Sequence, residues 1–264
     1  MLIFGVLFSG VGWLTTLGRG ASPIPADRPG IEAGDVLAYL AAYAVLFTGY
    51  GLNAFHAAIA PGRAEAALLV AFKFVVHVAL QTLLLLVLRA RFAPIILGGP
   101  TGRGFWLTLL VLGGVILMVV AVISPSLKDI AALRLSPGVL TVAAGGAFVW
   151  VSVEAGFCDE FLFRGVLQTR LAAVMGTELG AALIGALIHA LAHAPGLWMR
   201  AGPSEPGHAQ SLIQVVAYAV AVLSPVGVFL GVIWARTKNL LLVVLLHGPI
   251  DTLPFIPTFA HLWL

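Results

Sequence analysis

The sequence predicts an all-α fold, a polytopic transmembrane helix bundle of about eight membrane helices, and three observations carry that prediction. Of 264 residues, 61% are hydrophobic and 9% charged, against about a quarter charged in a soluble domain, and the mean hydropathy is +1.07. Charge-free runs recur along the chain: Val36–Ala60, Gly104–Leu127, Leu179–Trp198 and Pro206–Ala235 hold no Asp, Glu, Lys or Arg. Each is long enough for a helix to satisfy its own backbone in lipid. None alternates apolar and polar residues with period two, which excludes a membrane-spanning barrel.

Windows of about 20 residues place the helices near Leu2–Leu17, Val36–Ala60, Ala66–Leu88, Gly104–Ile123, Gly138–Phe157, Leu179–Ala194, Leu212–Arg236 and Asn239–Phe255. The first lacks the basic start and small-residue cleavage site of a signal peptide and is read as a membrane helix. After the fifth, Cys158–Met175 carries several charges and reads as a helix continuing inside the protein or along its interface. Short connections rich in Pro and Gly follow at Ser22–Gly34, Pro94–Arg103, Ser124–Pro137 and Pro195–Gly207. The whole chain, 1–264, is expected to form a single transmembrane domain.

The net charge of +3 and pI near 9.4 come from basic residues scattered in loops, so no nucleic-acid partner is expected. Alternating helices place Arg19, Arg28, Arg89, Arg91, Arg103, Arg236 and Lys238 on one side and Arg63, Lys128, Arg134 and Arg200 on the other, a bias that favours both termini outside the cytoplasm. A single cysteine, Cys158, allows no intramolecular disulfide and no CxxC centre. Its neighbour Asp159 disfavours a thiolate nucleophile.

Charged groups at membrane depth are costly, about 2.5–3.5 kcal/mol at a helix centre, so each needs a reason. Glu160 and Arg164 are four apart on one helical face and can pair; Asp159, about 100° around, is the leftover acid, suited to proton transfer or to a structural ion network. His189 and His193 share a face of an otherwise apolar helix ending at Pro195, where they can bind a metal, relay protons or pack by hydrogen bonds. His247 and Asp251 form a third i,i+4 pair, with Pro249 expected to kink or break the helix beside them. A carboxylate against an imidazole fixes its tautomer and raises its basicity. Lys73, His77, His56 and Asn53 read as snorkelling or packing groups, and Glu154 as a polar packing residue.

The three pairs, in this order and spacing, resemble the CPBP (ABI, CAAX-type) family of membrane-embedded endopeptidases, whose marks are EExxFRGxL, then FxxxH, then HxxxN or HxxxD. Asp159-Glu160-Phe-Leu-Phe163-Arg164-Gly165-Val-Leu167 matches the first, the segment from His189 to His193 the second, and His247-Gly-Pro-Ile-Asp251 the third. The resemblance covers roughly residues 138–255, a CPBP-like catalytic core. Two positions depart from the pattern. Asp159 stands for the first glutamate, which leaves open whether it or Glu160 is the base, and His189 stands for the phenylalanine.

The resemblance implies a glutamic-type peptidase in a multi-pass membrane protein, expected in a prokaryotic inner membrane, acting on a membrane-anchored protein or peptide. Asp159 and Glu160 with His193 would activate water, His247 would stabilise the oxyanion with Asp251 orienting it, and Arg164 would fix the acidic pair. No cofactor is required, with zinc held by imidazoles and carboxylates as the open alternative. The sequence has no HExxH, GxGD or rhomboid-like serine setting. Two other readings compete: a proton- or ion-coupled transporter, against which stands the lack of an inverted repeat, and a catalytically inactive immunity or peptide-binding relative.

Overall fold

The computed structural model describes residues 2–18, 23–91, 93–96, 99, 101–200 and 211–264. Helices account for nearly all of them, and no strand occurs among the described residues. Eight helices organise the chain: α1 (Leu2–Thr15), α2 (Pro29–Ala58), α3 (Arg63–Val87), α4 (Arg103–Ile123), α5 (Pro137–Met175), α6 (Glu178–Arg200), α7 (Leu212–Thr237) and α8 (Leu240–Trp263). Short turns of helix, Ala93–Ile96 and Ser126–Ala132, lie in two of the expected loops.

Local sequence sets the helix starts. Ser136 caps α5 by accepting from the Val139 amide, with Pro137 in the first turn; Ser211 caps α7 through the Gln214 amide, and Asn239 caps α8 through the Leu242 amide at 2.9 Å. Gly176, at φ +67°, ends α5 in the left-handed conformation that glycine adopts without cost. Lys238 takes the same conformation after α7 at φ +46°. Its ammonium lies 2.6 Å from Glu178; burial pushes its pKa down and Glu178 opposes that shift.

The helices from α2 to α8 are long and apolar enough to cross a membrane. Their outward faces expose large apolar side chains such as Leu46, Leu110, Val122 and Ile213, while most of the charged groups of the site described below point inward. This distribution supports an integral, multi-pass membrane protein. The expectation of eight spans is corrected at α1: its 14 residues reach about 21 Å, short of a hydrocarbon core of about 30 Å. Arg19 and the end of the Pro195–Gly207 connection, residues 201–207, lie outside the described residues.

α1 nonetheless has a defined seat. A Cβ on Gly5 would fall 2.3 Å from Pro225 Cβ, so the α1 backbone lies directly on α7. Arg236, expected as a loop charge, instead closes the end of α1. Its Nε donates to Thr16 Oγ1 at 2.9 Å, its Nη2 donates to the Thr16 carbonyl at 2.8 Å, and the guanidinium sits 4.1 Å over the Trp13 ring.

Neither Pro195, where a helix end was expected, nor Pro249, where a kink or break was expected, interrupts its helix. α6 continues through Pro195, and α8 runs without interruption through Pro249, Pro254 and Pro257. Pro249 removes one backbone bond, but Leu246, His247, Gly248 and Pro249 are all buried, and packing over several residues outweighs one lost bond. Thr252 Oγ1 donates to the Gly248 carbonyl at 2.7 Å in the same turn.

The core gathers around the second half of α5. From Glu160 to Gln168 every residue is buried and the helix is π-wound, as it also is over Tyr43–Gly51, Val75–Ala79 and Ser152–Phe157. π-turns are rare and frequently mark functional sites; here they carry Tyr43, His77, Glu154, Glu160 and Arg164. Gly227 and Gly231, four apart on α7, pack on Ala186 and Ala182 of α6, where added Cβ atoms would stand 2.8 and 3.0 Å from the alanine methyls. Two carbonyls of α7 receive donors from α5: Arg164 Nη2 to Gly227 at 3.4 Å and Gln168 Nε2 to Gly231 at 2.8 Å.

Candidate active site

Consecutive residues Asp159 and Glu160 start two polar clusters. On one side, Glu160 is fully buried and its Oε1 accepts from Arg164 Nη1 at 2.9 Å and from His247 Nδ1 at 2.7 Å. The other ring nitrogen of His247 lies 3.3 Å from Asp251 Oδ2. Carboxylates only accept, so this bracketed ring is satisfied as an imidazolium donating at both nitrogens. The two brackets differ in firmness: Glu160 is buried and close, while the Asp251 side chain is 44% exposed and its contact longer. His247 is thus held from both sides, by Asp251 as the sequence spacing suggested and by Glu160, a partner the sequence did not pair with it. Glu160 Oε2 is buried without a hydrogen-bond partner among the described residues.

On the other side, Asp159 Oδ1 lies 3.3 Å from His77 Nε2 of α3. His77 is almost fully buried and its Nδ1 donates to the Lys73 carbonyl at 2.9 Å, which leaves Nε2 facing both Asp159 and the Tyr43 hydroxyl, 3.0 Å away. With Nδ1 donating, Nε2 of the neutral ring is an acceptor, placed to receive a proton from the Tyr43 hydroxyl or from Asp159. His77 was read in the sequence as a packing group; its role could not be seen because its partner lies on another helix.

His193 and His189 face the same acid. One ligand atom from each of Asp159, His189 and His193 lies within 4.8 Å of the others, so this trio has the spacing to hold a metal ion. His193 Nδ1 donates to the His189 carbonyl at 2.8 Å, which leaves Nε2 as the free lone pair. The Phe163 ring packs against both imidazoles, with centroids 4.6 and 6.0 Å away.

A further ion pair, Lys73 with Glu154, links α3 to α5 beside this cluster. Glu154, expected as a polar packing residue, and Lys73, expected to snorkel or pack, are thus each other's partners across two helices, a pairing the sequence spacing could not show. His56 pairs with Glu65 at 2.6 Å, and Asn53 donates to the Gly49 carbonyl of its own helix at 2.8 Å. The structure thus brings Glu160, Arg164, His247 and Asp251 into one cluster, and Asp159 and His193 into its neighbour.

A membrane-embedded helix bundle with paired acids and histidines in its interior is the class that fold and site define. Residues 141–253 match the family model described as "Type II CAAX prenyl endopeptidase Rce1-like", which supports the CPBP, CAAX-type family and suggests a membrane peptidase. No curated protein and no solved structure matches the chain.

Proposed function

We propose that this chain is an intramembrane endopeptidase that hydrolyses a peptide bond of a membrane-anchored protein or peptide, with residues 138–255 as its catalytic core. One observation carries the reading: the consecutive acids Asp159 and Glu160 each face their own imidazoles, which supports a base at Asp159 and an oxyanion donor at His247 on the Glu160 side. Asp159, with His193 Nε2 beside it, takes a proton from the attacking water, and His77 offers that proton a place to stay. His247 donates from Nε2 to the carbonyl oxygen as it gains charge, the exposed Asp251 giving way while Glu160 keeps the ring in place. Arg164 neutralises Glu160. Water activation by this set requires no cofactor.

An apolar cleft of about 620 Å³ lies between α3, α5 and α8, lined by Ala67, Val70, Gly146, Trp150 and Phe259. Val153 also lines it and adjoins Glu154 of the Lys73 pair in sequence. This supports a substrate bearing a lipid group or apolar anchor, in keeping with the prenyl substrates in the family's description. A prokaryotic inner membrane is the proposed location.

The test is hydrolysis in heavy-oxygen water by the purified protein in lipid nanodiscs, with membrane-anchored peptides carrying or lacking a prenyl group. Label in the newly formed carboxylate is expected. Uncut peptides together with substrate-independent proton or ion flux in liposomes would favour the transporter reading instead.

A further inference from the structure

His189 is a buried group beside the site that the proposed peptide hydrolysis does not use. It is 6% exposed, and neither of its ring nitrogens has a hydrogen-bond partner among the described residues. Buried polar groups in folded proteins are nearly always partnered, so such a ring calls for a partner such as a bound ion. Its neighbours indicate which. The His193 Nε2 lone pair is free because Nδ1 is engaged on the His189 carbonyl, the arrangement that orients metal-binding imidazoles. The third member is the Asp159 carboxylate, and the three ligand atoms lie within 4.8 Å of one another. Tetrahedral coordination at about 2.0–2.1 Å requires the three side chains to draw closer together around the ion.

We propose that His189, His193 and Asp159 form a divalent transition-metal site with one open position. Two imidazoles and one carboxylate suit zinc or cobalt and disfavour magnesium and calcium, which take oxygen ligands. His77, holding Asp159 from behind at 3.3 Å, orients the carboxylate ligand. The site rests on the proposed function only in sharing Asp159 and His193 with it: a bound ion occupies the lone pairs that the metal-free base mechanism uses, so the loaded and metal-free proteins are two distinct states. His189 is the ligand that belongs to the metal site alone.

The experiment titrates metal-stripped full-length protein in detergent with Co²⁺ and Zn²⁺, in the absence of peptide. Saturable binding of one ion per chain is expected, with ligand-field absorption of a low-coordinate cobalt and a zinc-edge X-ray spectrum showing two imidazoles and an oxygen. His189→Phe places a ring of similar size against Phe163, so it should fold and bind at least about tenfold more weakly. His189→Gln, checked for wild-type helix content, guards against a folding artefact. Wild-type protein without saturable binding, or both variants binding as tightly as wild type, would overturn the proposal. Peptide cleavage by the metal-stripped wild type is scored separately, so loss of the peptidase reading and loss of the metal site give different results.

Discussion

Glu160 Oε1 accepts a hydrogen bond from His247 Nδ1 at 2.7 Å although the residues stand 87 positions apart. The same oxygen binds Arg164 at 2.9 Å, so one carboxylate joins the π-wound part of α5 to α8. Glu160→Gln would leave a buried guanidinium and the His247 ring without their anion. Thermal unfolding in detergent should show a loss of about 3–5 kcal/mol. A variant as stable as wild type would show that Glu160 is free for chemistry, where its unpartnered Oε2 would then be the base.

A second buried pair lies away from the site. Arg170 Nε is 2.9 Å from Glu32 Oε2, both fully or almost fully buried, and Arg170 Nη2 also donates to the Arg91 carbonyl at 2.6 Å. Glu32→Gln should therefore destabilise by about 3–5 kcal/mol, while an activity measured below the new melting temperature should change little. Equal stability of variant and parent would remove this pair from the fold's account.

How much of this was legible in sequence follows from distance along the chain. Pairs four residues apart, Glu160 with Arg164 and His247 with Asp251, could be read because one helix turn brings them together. Glu32 was placed in a loop, and Arg170 had no visible partner, because their meeting depends on α2 packing against α5. His77 and Tyr43 escaped for the same reason. Helix existence followed from hydropathy; the π-winding did not, since it changes hydrogen bonding without changing the apolar pattern. Pro195 and Pro249 do not end their helices because a stop signal valid for an isolated helix is overridden inside a bundle.

Packing of α7 on α6 makes a paired prediction about glycine. A Cβ on Gly231 would stand 2.9 Å from Gln168 Oε1 and 3.0 Å from Ala182 Cβ, whereas one on Gly114 of α4 meets nothing within 4 Å. Gly231→Ala should cost about 1–3 kcal/mol. Gly114→Ala should be neutral or stabilise by up to about 1 kcal/mol. Side-by-side melting curves check both, and the opposite order would contradict the close helix contact.

Lys238, in the turn between α7 and α8, gives a dependence on pH. Burial lowers its folded pKa below the unfolded value despite Glu178, so in the interval between the two the unfolded chain binds more protons. Stability contributed by this group should rise as pH increases through that interval. Melting temperatures from about pH 8 to 11 for wild type and Lys238→Met isolate the effect. A wild-type curve that falls relative to the variant over this range would reverse the sign.

The central claim is that Asp159 removes the proton from water while Glu160 holds the site together. Asp159→Asn keeps the shape of the side chain beside His77 and His193 and removes the base, a change that typically costs about 10²–10⁴ in rate. The direct measurement is the single-turnover cleavage rate of a membrane-anchored peptide by wild type and Asp159→Asn at matched helix content and melting temperature. The account predicts a folded variant slowed by about 10²–10⁴; a folded Asp159→Asn that cleaves at the wild-type rate would contradict it.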